Sequence, residues 1–147
     1  MRCRTASKIV PIVDEIVRPL LDYLDRRFGI DSAWIFGSEA AGRARPESDV
    51  DVAILFVRAP SAAELVEARA EGAALLDRPL DLVDLDTTSP ILAYQVLRHG
   101  RLLVDRNPSR RFRFTAAVPA WREDVLALRR PIEAHLARRL AAEAPRG

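Results

Sequence analysis

Cysteine occurs once, at Cys3, so no disulfide can form within the chain, and the expected compartment is the cytoplasm. Lysine also occurs once, at Lys8, and every other basic residue is arginine, a bias of genomic composition rather than of function. No apolar run approaches the roughly 20 residues of a membrane span, so no membrane partner is expected. The opening stretch MRCRTASKIVPIVDEIV has basic residues, but Pro11 and acidic residues interrupt its apolar segment, which makes it a poor signal peptide. Internal repeats and low-complexity segments are lacking too. What remains is a 147-residue chain, about half apolar, of a size that builds one domain with a sizeable core.

Charge is unevenly spread. Through Asp105 there are 13 basic and 17 acidic residues, and from Arg106 onward 10 basic and 4 acidic, which gives the net +2. The basic tail has no aromatics interleaved at regular spacing, so direct nucleic-acid binding is not expected. It reads either as solvated helix faces or as a surface for an acidic protein.

The most informative pattern is Gly37-Ser38, ten intervening residues, then Asp49-Val50-Asp51. A short apolar run, Ala33 to Phe36, ends in the Gly-Ser pair, and a second run, Val50 to Val57, opens on the two aspartates. Strand side chains alternate faces, so Asp49 and Asp51 point one way and Val50 and Val52 the other. Two carboxylates on one face at the mouth of an apolar strand repel each other and resist desolvation. A divalent cation resolves both problems, and oxygen-only ligands favour Mg²⁺ or Mn²⁺. Where a strand turns into a helix, as expected at Gly37-Ser38, backbone N–H groups can hold a phosphate. Metal ligands beside a phosphate cradle are the apparatus of phosphoryl or nucleotidyl transfer.

A third carboxylate is expected on a neighbouring strand. The segment RPLDLVDLD offers Asp81, Asp84 and Asp86. Asp81 shares a face with Val83 and Leu85; Asp84 and Asp86 share the other with Leu80 and Leu82. Asp86 lies just before a Thr-Ser-Pro helix start and is explained as turn chemistry. Asp84 is ambiguous. An acid at the start of a buried strand has fewer ordinary explanations than one near its end, so Asp81 is placed in the site.

The remaining pattern gives an element order. Ile9 to Phe28 reads as a helix, with a stripe at Ile12, Val13, Ile16, Val17, Leu20, Leu21 and Leu24, and Pro19 is the place for a kink. Strands are expected at 33–36, 50–57, 80–85 and 101–104, with helices at 62–76 and about 89–98. Helices alternating with strands should cover one side of a small mixed sheet. His99, before Gly100, suits a helix C-terminus, and Trp34 and Trp121 read as packing residues. After Arg106 the character changes: RRFRF alternates with period two, and Trp121 to Leu140 is helical, with Pro131 breaking the segment or opening a second helix.

These residues resemble the minimal nucleotidyltransferases of the DNA polymerase beta superfamily, of the antitoxin type paired with HEPN-domain toxins. Gly37, Ser38, Gly42, Arg45, Ser48, Asp49, Asp51 and Asp81 carry the resemblance, which runs from the first helix to about Arg106. Family members commonly have a basic residue directly after the Gly-Ser pair. Here it is Glu39, which leaves Arg43 or Arg45 to supply the charge.

The resemblance implies an α/β (α+β) fold, with a nucleotidyltransferase core over 1–106 and a helical C-terminal extension over 107–147. It implies two Mg²⁺ ions (or Mn²⁺) held by Asp49, Asp51 and Asp81, and ATP as donor. Gly37 and Ser38 would hold the β- and γ-phosphates. Arg45 and Ser48 complete the nucleotide-binding candidates, beside their ordinary readings as a solvated loop arginine and a turn cap. The implied acceptor is a hydroxyl, typically tyrosine, on a cognate HEPN ribonuclease toxin. Two other readings stand beside it: a non-catalytic antitoxin that acts by binding, and transfer to a small molecule such as an aminoglycoside. The latter usually needs a larger second domain than residues 107–147 can build. Arg130 and His135 match the Arg-x4–6-His signature of HEPN ribonucleases, but the rest of the chain is unlike that all-helical fold, and the match is read as coincidence.

Overall fold

A computed structural model describes residues 11–37, 42 and 48–144. Among them the order is α1 (Pro11–Phe28), β1 (Ile30–Phe36), β2 (Val50–Phe56), α2 (Ala62–Leu76), β3 (Leu80–Asp84), α3 (Pro90–His99), β4 (Arg101–Asp105) and α4 (Pro108–Glu143). The four strands form one mixed sheet in the order β3-β2-β1-β4. β1 is antiparallel to both β2 and β4, and β2 is parallel to β3. Cys3 and the other residues before Pro11 lie outside the described residues.

Local chemistry explains the boundaries. Helix α1 buries Val17, Leu20, Leu21, Leu24 and Phe28 at helical spacing, and its run continues through Pro19. Ser61 caps α2 in a reciprocal box with Glu64, and Asp77 ends that helix in the left-handed conformation. Ser89 caps α3, with Pro90 in its first turn and Arg98 and His99 in its last. β1 starts at Ile30, three residues before the apolar run that marks it in the sequence, because Ile30 and Ser32 are drawn into the buried sheet.

Helices cover both faces of the sheet, which corrects the one-sided arrangement expected from the alternation. On one face α1 and α2 pack over Ala33, Ile35, Val50, Val52, Ile54 and Leu82. On the other, α3 and the first turns of α4 pack over Trp34, Ala53, Leu55, Val83 and Leu85, adding Val96, Phe114 and Val118. The reason is visible in β2, whose Val52–Phe56 run is apolar at every position and therefore needs cover on both sides.

A second correction concerns the tail. Pro108 to Glu143 is one helix, with Pro119 and Pro131 inside it, so RRFRF is helical rather than strand-like and Pro131 does not divide the segment. Asn107 starts it by accepting from the Arg110 N–H, with Pro108 in the first turn. The Arg110 guanidinium then reaches Asp31 at 2.8 Å, the Phe56 carbonyl at 2.6 Å and Asp86, and Arg111 pairs with Asp105 at 3.0 Å. No helix among the described residues is long and apolar enough to cross a membrane.

Candidate active site

The site is built where β1 ends and β2 and β3 begin. Register sets Phe36 opposite Asp51, and Asp51 beside Asp81, so these three positions form a row across three strands. Neighbouring strands lie about 4.8 Å apart. Asp49 stands two residues before Asp51 and is exposed, Asp51 is half-buried, and Asp81 is exposed. By alternation this row lies on the same face as Ala53, Leu55 and Val83, at the rim of the core under α3 and α4.

Gly37 follows Phe36 with φ +68, a left-handed conformation that side chains rarely adopt. A Cβ placed there would lie 3.1 Å from Cγ of Asp51 and closer still to its Oδ2. The left-handed backbone turn therefore favours glycine, and the Asp51 carboxylate lies against its open side. Ser38, Glu39, Arg43 and Arg45 lie outside the described residues, so the remainder of the turn is not placed.

The start of β2 is pinned to the start of β3. The Val50 N–H donates to the Pro79 carbonyl at 2.9 Å. The Arg78 guanidinium donates through Nε (3.0 Å) and a terminal nitrogen (2.8 Å) to the Ser48 carbonyl, immediately before Asp49. Arg78 was not singled out in the sequence. Its only signal there was a basic residue directly before an acidic strand, which is weak without knowledge of which loop lies beside it.

Asp84 has a different environment. It pairs in register with Ile54, is 3 % exposed, and lies on the face opposite to Asp81 by alternation. Its Oδ1 accepts from the Asp86 N–H at 3.1 Å, and its carbonyl accepts from the N–H groups of Thr87 and Thr88. Burial pushes its carboxyl up from the ordinary carboxylate range, against the Asp86 N–H. Asp84 thus organises the turn into α3, while the Asp86 side chain faces Arg110.

The donors at this end of the sheet are carboxylate oxygens, the set suited to Mg²⁺ or Mn²⁺. Among the described residues no three carboxylate, imidazole or thiol groups converge to ion-binding distance. Register therefore fixes the shared row, and side-chain rotation decides where each carboxylate points.

Comparison with known proteins places this arrangement. The chain is 36 % identical over 75 residues to the protein adenylyltransferase MntA of Thermococcus cleftensis, covering 51 % of this chain and 76 % of that one. It is 30 % identical over 90 residues to the protein adenylyltransferase MntA of Shewanella oneidensis, covering 61 % and 63 %. Among solved structures, a toxin–antitoxin complex with AMP-PNP superposes with TM-score 0.69 and 25 % identity, over 80 % of this chain and 96 % of that one. The complex of tri-AMPylated HEPN toxin with MNT antitoxin from Shewanella oneidensis shares the fold, with TM-score 0.69 at 22 % identity over 88 % and 99 %. Residues 19–109 match the polymerase beta nucleotidyltransferase model, and the chain belongs to that family.

Proposed function

We propose that this chain is a Mg²⁺-dependent protein adenylyltransferase that moves AMP from ATP to a hydroxyl on a cognate HEPN ribonuclease toxin. It would act as the antitoxin of that pair, in the cytoplasm. The observation that carries the reading is the close approach of Gly37 to Asp51, one strand from Asp81. The two MntA relatives, both named protein adenylyltransferases, support the reaction type. The AMP-PNP complex among the structural neighbours supports ATP as donor.

In this reading Asp49 and Asp51 hold two ions between them, and Asp81 completes the site of one. Mg²⁺ or Mn²⁺ bound there supplies charge neutralisation and lowers the pKa of the acceptor hydroxyl. The Gly37-Ser38 turn holds the β- and γ-phosphates through backbone N–H groups. Arg45 and Ser48 add nucleotide contacts, and Arg78 keeps the residue before Asp49 in place. The acceptor oxygen bonds to the α-phosphorus as the bond from that phosphorus to the bridging oxygen breaks. Pyrophosphate leaves along the line set by the turn, and the hydroxyl proton passes to Asp81.

The test is incubation with Mg²⁺, ATP labelled at its α-phosphate, and the HEPN-domain protein encoded in the same operon. Label should appear on a hydroxyl of that protein. Label on aminoglycosides or free nucleotides, with every offered protein ignored, would overturn the antitoxin reading.

A further inference from the structure

The parallel ladder between β2 and β3 has a fixed phase. The Val50 N–H donates to the Pro79 carbonyl at 2.9 Å, and at the far end the Leu85 N–H donates to the Ile54 carbonyl at 3.0 Å. Register runs from Val50 beside Leu80 to Ile54 beside Asp84. In this phase a bonded β2 carbonyl accepts from the residue that follows its partner on β3. Carried back from Ile54 in steps of two, the pattern sets Ser48 beside Arg78 and assigns the Ser48 carbonyl to the N–H of residue 79. Residue 79 is proline, which has no N–H to give.

The Arg78 side chain supplies the missing donor. Its Nε and a terminal nitrogen reach the Ser48 carbonyl at 3.0 and 2.8 Å. Local backbone puts it there. Asp77 ends α2 in the left-handed conformation at φ 50, and Pro79 favours extended backbone at Arg78, which lays that residue alongside Ser48. The clamp therefore reaches one step beyond the backbone ladder, onto the residue directly before Asp49. Because a peptide unit is planar, the Ser48 carbonyl oxygen lies in one plane with the nitrogen and Cα of Asp49. Holding that oxygen with two N–H groups sets the plane from which the Asp49 side chain projects. A metal-ligating carboxylate has to be held to within about 0.5 Å of its working position. Asp51 gains such support from its place in the ladder beside Asp81, and Asp49, just before β2 begins, gains it through Arg78.

We propose that Arg78 is a positioning residue for Asp49, replacing the ladder donor that Pro79 lacks and so holding that carboxylate ready for a divalent cation. This rests on the transferase reading above. Three variants test it: Arg78→Ala, Arg78→Lys, and Arg78→Ala combined with Pro79→Ala, which returns a backbone N–H where the ladder needs one. Thermal melting confirms that each is folded. The readouts are Mn²⁺ affinity by calorimetry with AMP-PNP present, and amide hydrogen exchange at Val50 without metal. Arg78→Ala should weaken Mn²⁺ binding about tenfold or more, the scale of lost support behind a metal ligand, and should speed exchange at Val50. Arg78→Lys, an ammonium in place of the planar fork, should recover part of the loss, and so should the added Pro79→Ala. Unchanged Mn²⁺ affinity in Arg78→Ala, beside a wild-type chain that binds the ion, overturns the positioning role and leaves the transferase reading standing. A loss that Pro79→Ala does not reduce overturns the replacement of a ladder donor. A wild-type chain that binds no Mn²⁺ overturns the metal assignment and the positioning role together.

Discussion

Asp81 and Asp84 are three residues apart on one strand and differ in almost every physical respect. Asp81 is exposed beside Asp51, whereas Asp84 is buried and hydrogen-bonded into a turn. Asp81→Asn should lower AMP transfer by at least about 10²-fold, the scale of a lost general base. Asp84→Asn should leave the rate nearly unchanged, because its amide oxygen can still accept from the Asp86 N–H. Rates for the two variants measured side by side check this, and a dispensable Asp81 with an essential Asp84 would mean the third ligand is misassigned. Asp84 also carries a pH signature. Its carboxyl is raised mainly by burial; the Asp86 charge adds to the rise and Arg110 opposes it. Such a group contributes stability that is fully present below the ordinary carboxylate pKa and is lost as pH rises through the raised value. The melting temperature of Asp84→Asn should therefore equal or exceed wild type at neutral pH, and that advantage should vanish on acidification. At the paired aspartates, Asp49→Asn with Asp51→Asn should abolish Mg²⁺-dependent ATP binding in calorimetry while the protein stays folded. Spacing and strand parity alone brought Gly37, Asp49, Asp51 and Asp81 into consideration. Arg78 was not legible in that way, since its role depends on which carbonyl lies across from it.

At the scale of elements, caps and periodicity located most helices and strands, because Ser61, Ser89 and the α1 stripe are local signals. The tail is helical as expected, but its continuity from Pro108 through Pro131 is not legible in the sequence, because the interactions that fix its start are not local. Five residues of alternation in RRFRF cannot distinguish strand from helix, and two prolines argue for breaks on propensity alone. What fixes the start of α4 is Arg110, which binds Asp31, Asp86 and the Phe56 carbonyl from three different parts of the fold. The Arg110 side chain is about one-quarter exposed, so solvent screening tempers these pairs. Arg110→Met should still destabilise the fold by about 1–3 kcal/mol, since it leaves two acidic partners and a carbonyl without their donor. Urea unfolding reads this as a lower midpoint at unchanged slope. A double-mutant cycle with Asp31→Asn should return a non-zero coupling energy, and a zero coupling would place the loss elsewhere.

The whole molecule is a two-faced sheet from which one long helix runs on. Phe114 and Val118 of α4 are buried against α3 and the sheet, Trp121 packs edge-on against Phe114, and Arg122 lies over the Tyr94 ring. From Ala127 through Ala144 every residue is exposed, although Leu128, Ile132, Leu136 and Leu140 keep a four-residue spacing. That half of the helix spans roughly 25 Å at 1.5 Å per residue. An apolar stripe with Arg129 and Arg139 each three residues from a stripe position suits an acidic protein surface that covers the apolar side chains and pairs the arginines. Because the core contacts of α4 end before Ala127, deleting residues from Ala127 onward should leave the melting temperature and Mg-ATP affinity close to those of the full chain. Labelling of the HEPN-domain partner should fall at least tenfold at limiting partner concentration and recover as that concentration is raised, the behaviour of a lost docking surface. Unchanged labelling at limiting partner would leave the nucleotidyltransferase core to recognise the acceptor without help from the helix. A drop that persists at saturating partner would instead mean that the helix acts on the transfer step itself.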